Sequence, residues 1–208
     1  MATKQAKGSR RAPRQERSRV TLDAILEAAA QVFESRGYAA GTTNHIAERA
    51  GVSIGSLYQY FPDKASVANV LIERHLREGA ELFADVLGHV GQQPHSLAQV
   101  LEHFVGAMVE MHAKKPRLHH VLLEEAPHSP KIHAAVRREK REAMGAVKAL
   151  LEISPEVHVR DLSAAAYIVV NSVEGLTHEF FASMPHDLIQ RRFKKELAAM
   201  LLGYLTRA

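Results

Sequence analysis

The chain has 208 residues, 46% of them hydrophobic, a formal net charge of +4 and no Cys. The lack of Cys excludes disulfides and thiolate metal sites, and no apolar run reaches the ~18 residues that a membrane span needs. The basic N-terminus has no apolar stretch behind it of the kind a signal peptide carries, so an intracellular, cytoplasmic protein with no membrane partner is expected.

The charge is unevenly placed. Residues 1–64 hold ten of the 27 basic and six of the 23 acidic side chains, so this end carries the whole excess and the remainder balances. A basic end on a neutral body suits an anionic partner, nucleic acid or a membrane surface, or is simply a solvated tail. Residues 1–17, polar and basic, read as a flexible arm.

From there the pattern is helical. Leu22, Ile25, Leu26, Ala29, Val32 and Phe33 fall on one helix face, which Gly37 ends. Thr42 or Thr43 offers an N-cap for a short helix with Ile46, Ala47 and Ala50 inward. Gly51 breaks it, Ser53 caps a third helix that Pro62 ends, and Asp63 caps a fourth running to about Leu87. Beyond residue 96, Leu97, Leu101, Phe104, Val105 and Met108 form another face. The stretches "KKPR" and "APHSPK" read as breaks, followed by a basic amphipathic helix over 132–151 and two last helices over about 159–182 and 187–206. With no alternating run long enough for a sheet, the fold class is all-α.

Helices two and three are too short to stand alone, so they must pack on the first, with Leu22, Phe33, Ile46, Val52, Leu57 and Phe61 as the shared core. Two short helices across a Gly turn behind a longer one match the helix-turn-helix geometry, whose last helix enters the major groove. With Leu57 and Phe61 inward, Ile54, Gly55, Tyr58 and Gln59 face outward. Ser53, Thr43 and the helix N-terminal amides suit phosphate oxygens, Tyr58 offers a hydroxyl and an apolar ring, and Lys64 adds a cation at the rim.

The segment "ILEAAAQVFESRGYAAGTTNHIAERAGVSIGSLYQYFPDKASV", residues 25–67, resembles the DNA-binding domain of the TetR family of bacterial transcriptional regulators. It matches the pattern "F…GY" followed by "TT..IA..AGVS.G.LY.YF..K" nearly element by element. The resemblance implies DNA contacts at Thr43, Asn44, Ser53, Gly55, Tyr58, Tyr60 and Lys64; Asn44 and Gln59 lie where the family varies, so it does not supply the operator sequence. It also implies that residues 18–64 form the DNA-binding domain and 65–208 a helical ligand-binding and dimerisation domain, the last two helices pairing across a two-fold axis.

The last helix presents Leu188, Leu197, Leu201, Tyr204 and Leu205, which either meet a second copy or pack within their own subunit. Tyr167, Asn171, Glu174 and His178 form a thin polar stripe on an otherwise apolar helix, open to three destinations: a ligand pocket, a dimer partner or solvent. Phe104, Met108, Met111, Leu118, Leu122 and Leu123 are candidate apolar walls for such a pocket. Thirteen His residues invite a metal reading, especially His112, His119, His120, His128 and His133. Yet the single Glu-x-x-His at Glu125 and His128 is interrupted by Pro127, and no HExxH occurs, so neither a metal nor any other cofactor is expected. No nucleophile elbow or phosphate loop supports catalysis. The expectation is a homodimeric repressor that binds a palindromic double-stranded operator and leaves it on binding a largely apolar small molecule. The rival classes are a helical metal protein or enzyme with a basic tail, and a DNA-binding module without ligand control.

Overall fold

The computed structural model describes residues 11–90, 96–183 and 187–207. Among them are α1 (Arg11–Ala40), α2 (Thr43–Ala50), α3 (Ile54–Tyr60), α4 (Lys64–Val90), α5 (Leu97–Ala113), α6 (Pro116–His120), α7 (Pro130–Ile153), α8 (Leu162–Ser183) and α9 (Asp187–Leu205), with a π-helical segment at Val121–Glu125 continuing α6. No strand occurs among the described residues, and the fold is all-α. No helix there is long and apolar enough to cross a membrane.

Most boundaries follow from local chemistry. Gly37, at φ 75° and ψ 176°, breaks the helical path within α1 in a region essentially open only to glycine. Thr42 caps α2 reciprocally: its side chain accepts from the His45 N–H at 3.2 Å, and the His45 ring faces back to the Thr42 N–H. Gly51, left-handed at φ 66°, closes α2. Ser53 then accepts from the Ser56 N–H at 3.0 Å to start α3. The Ser66 N–H donates to Asp63 at 2.7 Å to start α4.

Two differences from the sequence expectation stand out. First, α1 reaches back to Arg11, so residues 11–17 of the expected arm are helical; residues 1–10 lie outside the described residues. Ala12, Arg14, Gln15, Glu16 and Arg17 favour helix, and Pro13 falls in the first turn, where its missing N–H loses no partner. Second, the break in "KKPR" is confined to Lys114 and Lys115, and Pro116 already opens the next helix, as proline does at a first helical position.

Two cores result. In the first, Ile25, Phe33, Ile46, Leu57 and Phe61 of α1–α3 and the turn after α3 pack with Leu71 and Ile72 of α4, Leu118 of α6, Leu122 of the π segment and Ile132 of α7. Leu22 and Val52 sit partly buried at its edge. The second joins α5, α8 and α9 through residues such as Val105, Val109, Val169, Val173, Leu197 and Leu201.

Carboxylates tie α1 to α6 in both directions. Glu34 of α1 accepts from the Arg117 N–H at 3.3 Å and from the Leu118 N–H, capping an α6 terminus that has no side-chain cap of its own. Glu125 of the π segment accepts from the Tyr38 N–H at 2.9 Å, just past the Gly37 break. Lys115 reaches Glu27 at 2.9 Å. An acidic group at a helix N-terminus also meets the positive end of the helix dipole. Replacing Glu34 with Ala is expected to destabilise the fold by about 1–2 kcal/mol in urea unfolding, with Glu34→Gln, which keeps one acceptor, losing less. Equal losses for the two variants would mean that charge, not hydrogen bonding, holds α6.

Candidate nucleic-acid interface and effector cavity

The surface of α2 and α3 presents most of the expected DNA-contacting set together. Tyr58 is 51% exposed, and its hydroxyl lies 3.2 Å from Thr43 Oγ1, so the two oxygens share one outward face. Asn44, Ser53, Gly55 and Gln59 are exposed, as is Ile54. A Cβ at Gly55 meets nothing of the protein closer than Ser53 Oγ at 3.9 Å, so internal packing does not require glycine there. Ser53 spends its hydroxyl on Ser56.

Two residues of that set are occupied differently. Lys64 donates to the Tyr38 and Ala39 carbonyls at 2.6 and 3.3 Å and lies 4.1 Å from the Tyr38 ring centroid; burial holds its amine below the usual lysine range. It clamps the last residues of α1, beyond the Gly37 break, and is not a free cation at the rim. Tyr60 packs partly buried against the first core, with its hydroxyl 3.2 Å from Ser18 Oγ. That contact ties the start of α1, with exposed Arg17 and Arg19 flanking Ser18, to the end of α3. Charge counting located this basic end but not its helical form; the run of strong helix formers was the available signal.

A cavity of about 300 Å³ opens among α4, α5, α7 and α8. Phe83, Phe104, Met108 and Met111 form apolar walls, while His75, Glu139, Glu174 and His178 supply the polar groups. Phe83 and Phe104 meet edge to face at 5.5 Å. Glu174 pairs with Lys140 at 3.0 Å. Glu139 lies against α4, where a Cβ at Gly79 would approach its Oε1 to 3.2 Å, and its Oε2 is buried without a hydrogen-bond partner. Burial, with the Glu174 and Glu142 carboxylates adding to it and Arg138 opposing, pushes Glu139 up to about 7.

Residues 96–205 match a domain family described as tetracyclin repressor-like, C-terminal domain, and residues 25–71 match bacterial regulatory proteins of the tetR family. The chain belongs to the TetR family. It is therefore a DNA-binding transcriptional regulator and not an enzyme. It is 27% identical over 132 residues to the uncharacterized HTH-type transcriptional regulator YvkB of Bacillus subtilis, a match covering 44% of this chain and 69% of that one. It is 42% identical over 66 residues to the HTH-type transcriptional activator FasR of Mycolicibacterium smegmatis, covering 32% of this chain and 28% of FasR. In fold it is similar to the fatty acid degradation regulator FadR from Bacillus halodurans, with a TM-score of 0.67 at 19% identity over 96% of this chain and 97% of that one.

Within this TetR-family chain, the candidate pocket residues divide. Phe104, Met108, Met111, Glu174 and His178 line the cavity. Leu122 does not: it is buried in the first core, four residues on from Leu118 and on the same face. Tyr167 is 58% exposed on the surface of α8. Asn171 donates to the Tyr167 carbonyl at 2.7 Å and borders a shallow groove beside His128 and His133. The polar stripe thus runs from solvent at Tyr167 into the cavity at Glu174 and His178.

The candidate dimer residues on α9 also need correction. Leu197, Leu201 and Leu205 are at most 3% exposed and Tyr204 is partly buried, all within the second core, because α5 and α8 absorb that apolar face. The side chain of Leu188 lies outside the described residues. The apolar surface left open is instead Tyr167, Ile168 and Leu176 on α8 and Met200 on α9, each between 39% and 58% exposed.

Sequence spacing points away from a metal site, and of the five histidines it singles out three lie outside the cluster that the other two join. His120 is exposed, and His128 Nε2 lies 2.7 Å from the Leu122 carbonyl with its ring 5.3 Å from that of His133. His112 and His119, however, converge with His75 and His178 from four helices, each offering a ring nitrogen within 4.8 Å of the others. Burial pushes His75, His112 and His178 each down to about 4 and lowers His119 as well, so the imidazoles are neutral near pH 7.

Two predictions follow from this geometry. Gly55→Ala fits the open space and favours helix, so stability should hold or rise by up to about 1 kcal/mol while DNA affinity falls several-fold by fluorescence anisotropy. Unchanged affinity would place Gly55 away from the DNA. For Glu139, the folded state retains a proton that the unfolded chain releases above its ordinary range of about 4.5. Its contribution therefore favours folding most at low pH and is lost as pH rises from about 4.5 to about 7. Glu139→Gln should gain in thermal midpoint on the parent chain between about pH 5 and about pH 8, and a pH-independent difference would overturn the assignment.

Proposed function

We propose that the protein is a homodimeric, cytoplasmic repressor that grips a palindromic double-stranded operator with two copies of α3 and releases it when a largely apolar small molecule enters the cavity. The observation that carries this reading is the position of α4. Its Leu71 and Ile72 belong to the core of the DNA-binding helices, and one to three turns later His75, Gly79 and Phe83 line the cavity. A ligand that prefers one position of α4 thereby shifts the spacing of the two recognition helices, to the extent that its affinity differs between the two states.

The cavity's aromatic and methionine walls favour an apolar body, and its carboxylates favour a ligand with a hydrogen-bonding group at one end. The exposed apolar patch on α8 and α9 supports pairing with a second copy, which would cover Ile168, Leu176 and Met200. A second reading, activation in place of repression, draws on the match to FasR, which is named an activator.

Selection from a random double-stranded DNA library should enrich a palindrome, bound with an affinity that falls steeply with salt. A panel of apolar acids, alcohols and amines screened by thermal shift should yield compounds that raise the midpoint and weaken operator binding. A fusion of the enriched site to a reporter promoter gives the sign of regulation. The double variant Ile168→Glu, Met200→Glu should sediment as a folded monomer and lose palindrome binding; a dimer that persists would move the interface elsewhere.

A further inference from the structure

We propose that His75, His112, His119 and His178 form a binding site for a late first-row divalent cation of the zinc class. The site joins α4, α5, α6 and α8, each contributing one imidazole, and their ligand atoms lie within 4.8 Å of one another. Zinc held by four imidazole nitrogens at about 2.0–2.1 Å places those nitrogens about 3.3 Å apart. The ligand atoms lie within 4.8 Å of one another, and His112 Nε2 and His178 Nε2, hydrogen-bonded at 2.7 Å, would part by about 0.6 Å to reach that spacing. Small side-chain rotations would seat the four nitrogens around an ion.

The hydrogen bonding favours a ligand over a plain core. His112 Nδ1 lies 2.8 Å from the Met108 carbonyl, which only accepts, so the proton sits on Nδ1 and the lone pair on Nε2 points into the cluster. A backbone carbonyl holding the outer N–H is the support that metal-bound histidines commonly have. Meanwhile the Nδ1 atoms of His75 and His119 are buried with no hydrogen-bond partner. A core built only for packing would place apolar side chains here, since unpaired buried polar atoms are costly. An ion satisfies lone pairs that the protein leaves open.

The surroundings suit a cation of this kind. An all-imidazole set without thiolate or an obligatory carboxylate fits zinc, nickel, cobalt or copper and disfavours magnesium and calcium, which take oxygen ligands. Glu139 and Glu174 line the same cavity as His75, His112 and His178, so oxygen acceptors stand near the imidazoles. Access exists from the other side, where His75 and His119 border a cleft of about 790 Å³ between α4 and α5.

The test uses the full chain stripped with a chelator and titrated with Co²⁺, then Zn²⁺. The expected result is one ion per chain, intense visible bands of four-coordinate cobalt, and their loss on adding Zn²⁺. His75→Gln and His178→Gln should each weaken binding about 100-fold or more, while the His128→Gln, His133→Gln double variant retains it. The parent chain decides the matter even if a core variant fails to fold: only the weak bands of six-coordinate cobalt, or no bound ion after dialysis, overturns the proposal. So does binding that survives in folded His75→Gln and His178→Gln or disappears in the His128, His133 variant.

Discussion

The DNA-binding end is anchored by a reciprocal pair of carboxylates. Glu34 of α1 caps the amides that open α6, and Glu125 at the end of the π segment takes the Tyr38 amide just beyond the break at Gly37. Each acid supplies what the other element lacks, because α6 begins without a side-chain cap and the chain leaves the helical path at Gly37. Once this clamp is set, Leu118, Val121 and Leu122 face α1 and complete the core under α2 and α3. Helices of eight and seven residues cannot persist without such a base. The outward aim of Tyr58 and Gln59 thus depends on acids that lie outside α2 and α3.

The same segment accounts for the buried histidines. Leu118 and Leu122 stand four residues apart and serve the first core from one face, while His119, about 100° round from Leu118 on α6, turns toward His75 and His112. The irregular turn therefore sits where the two halves of the chain must share one element.

What was legible in the sequence follows the range of the interactions involved. Caps and breakers act within four residues, so Gly51, Ser53 and Asp63 could be placed from spacing alone, the α2 cap narrowed to Thr42 or Thr43, and the outward face of α3 read with them. The start of α1 was hidden because charge suggested a solvated arm where helix propensity ruled. The fate of the α9 leucines was hidden because an apolar stripe has the same spacing whether it meets α5 or a second copy. Tyr167 and His178 share a stripe, yet eleven residues of helix carry one to solvent and the other into the cavity. The histidine cluster was beyond reach for a further reason: its members stand 37, 7 and 59 residues apart, with no local signature.

The two cores meet most directly along α4, and that sets how the halves can communicate. Ile72 is fully buried beneath the DNA-binding helices, and Gly79, seven residues on, packs against Glu139 in the cavity wall. At 1.5 Å per residue the two points are only about 10 Å apart on one rigid rod. Displacing α4 at Gly79 must therefore tilt or slide Ile72 within a packed core, and packed cores settle into discrete alternatives instead of deforming smoothly. Tight packing of Glu139 against Gly79 makes this the point where an occupant of the cavity would be felt first. A second path runs through His119 to α6 and the Glu34 cap, so anything that fixes His75 and His119 together stiffens both attachments of α1 at once.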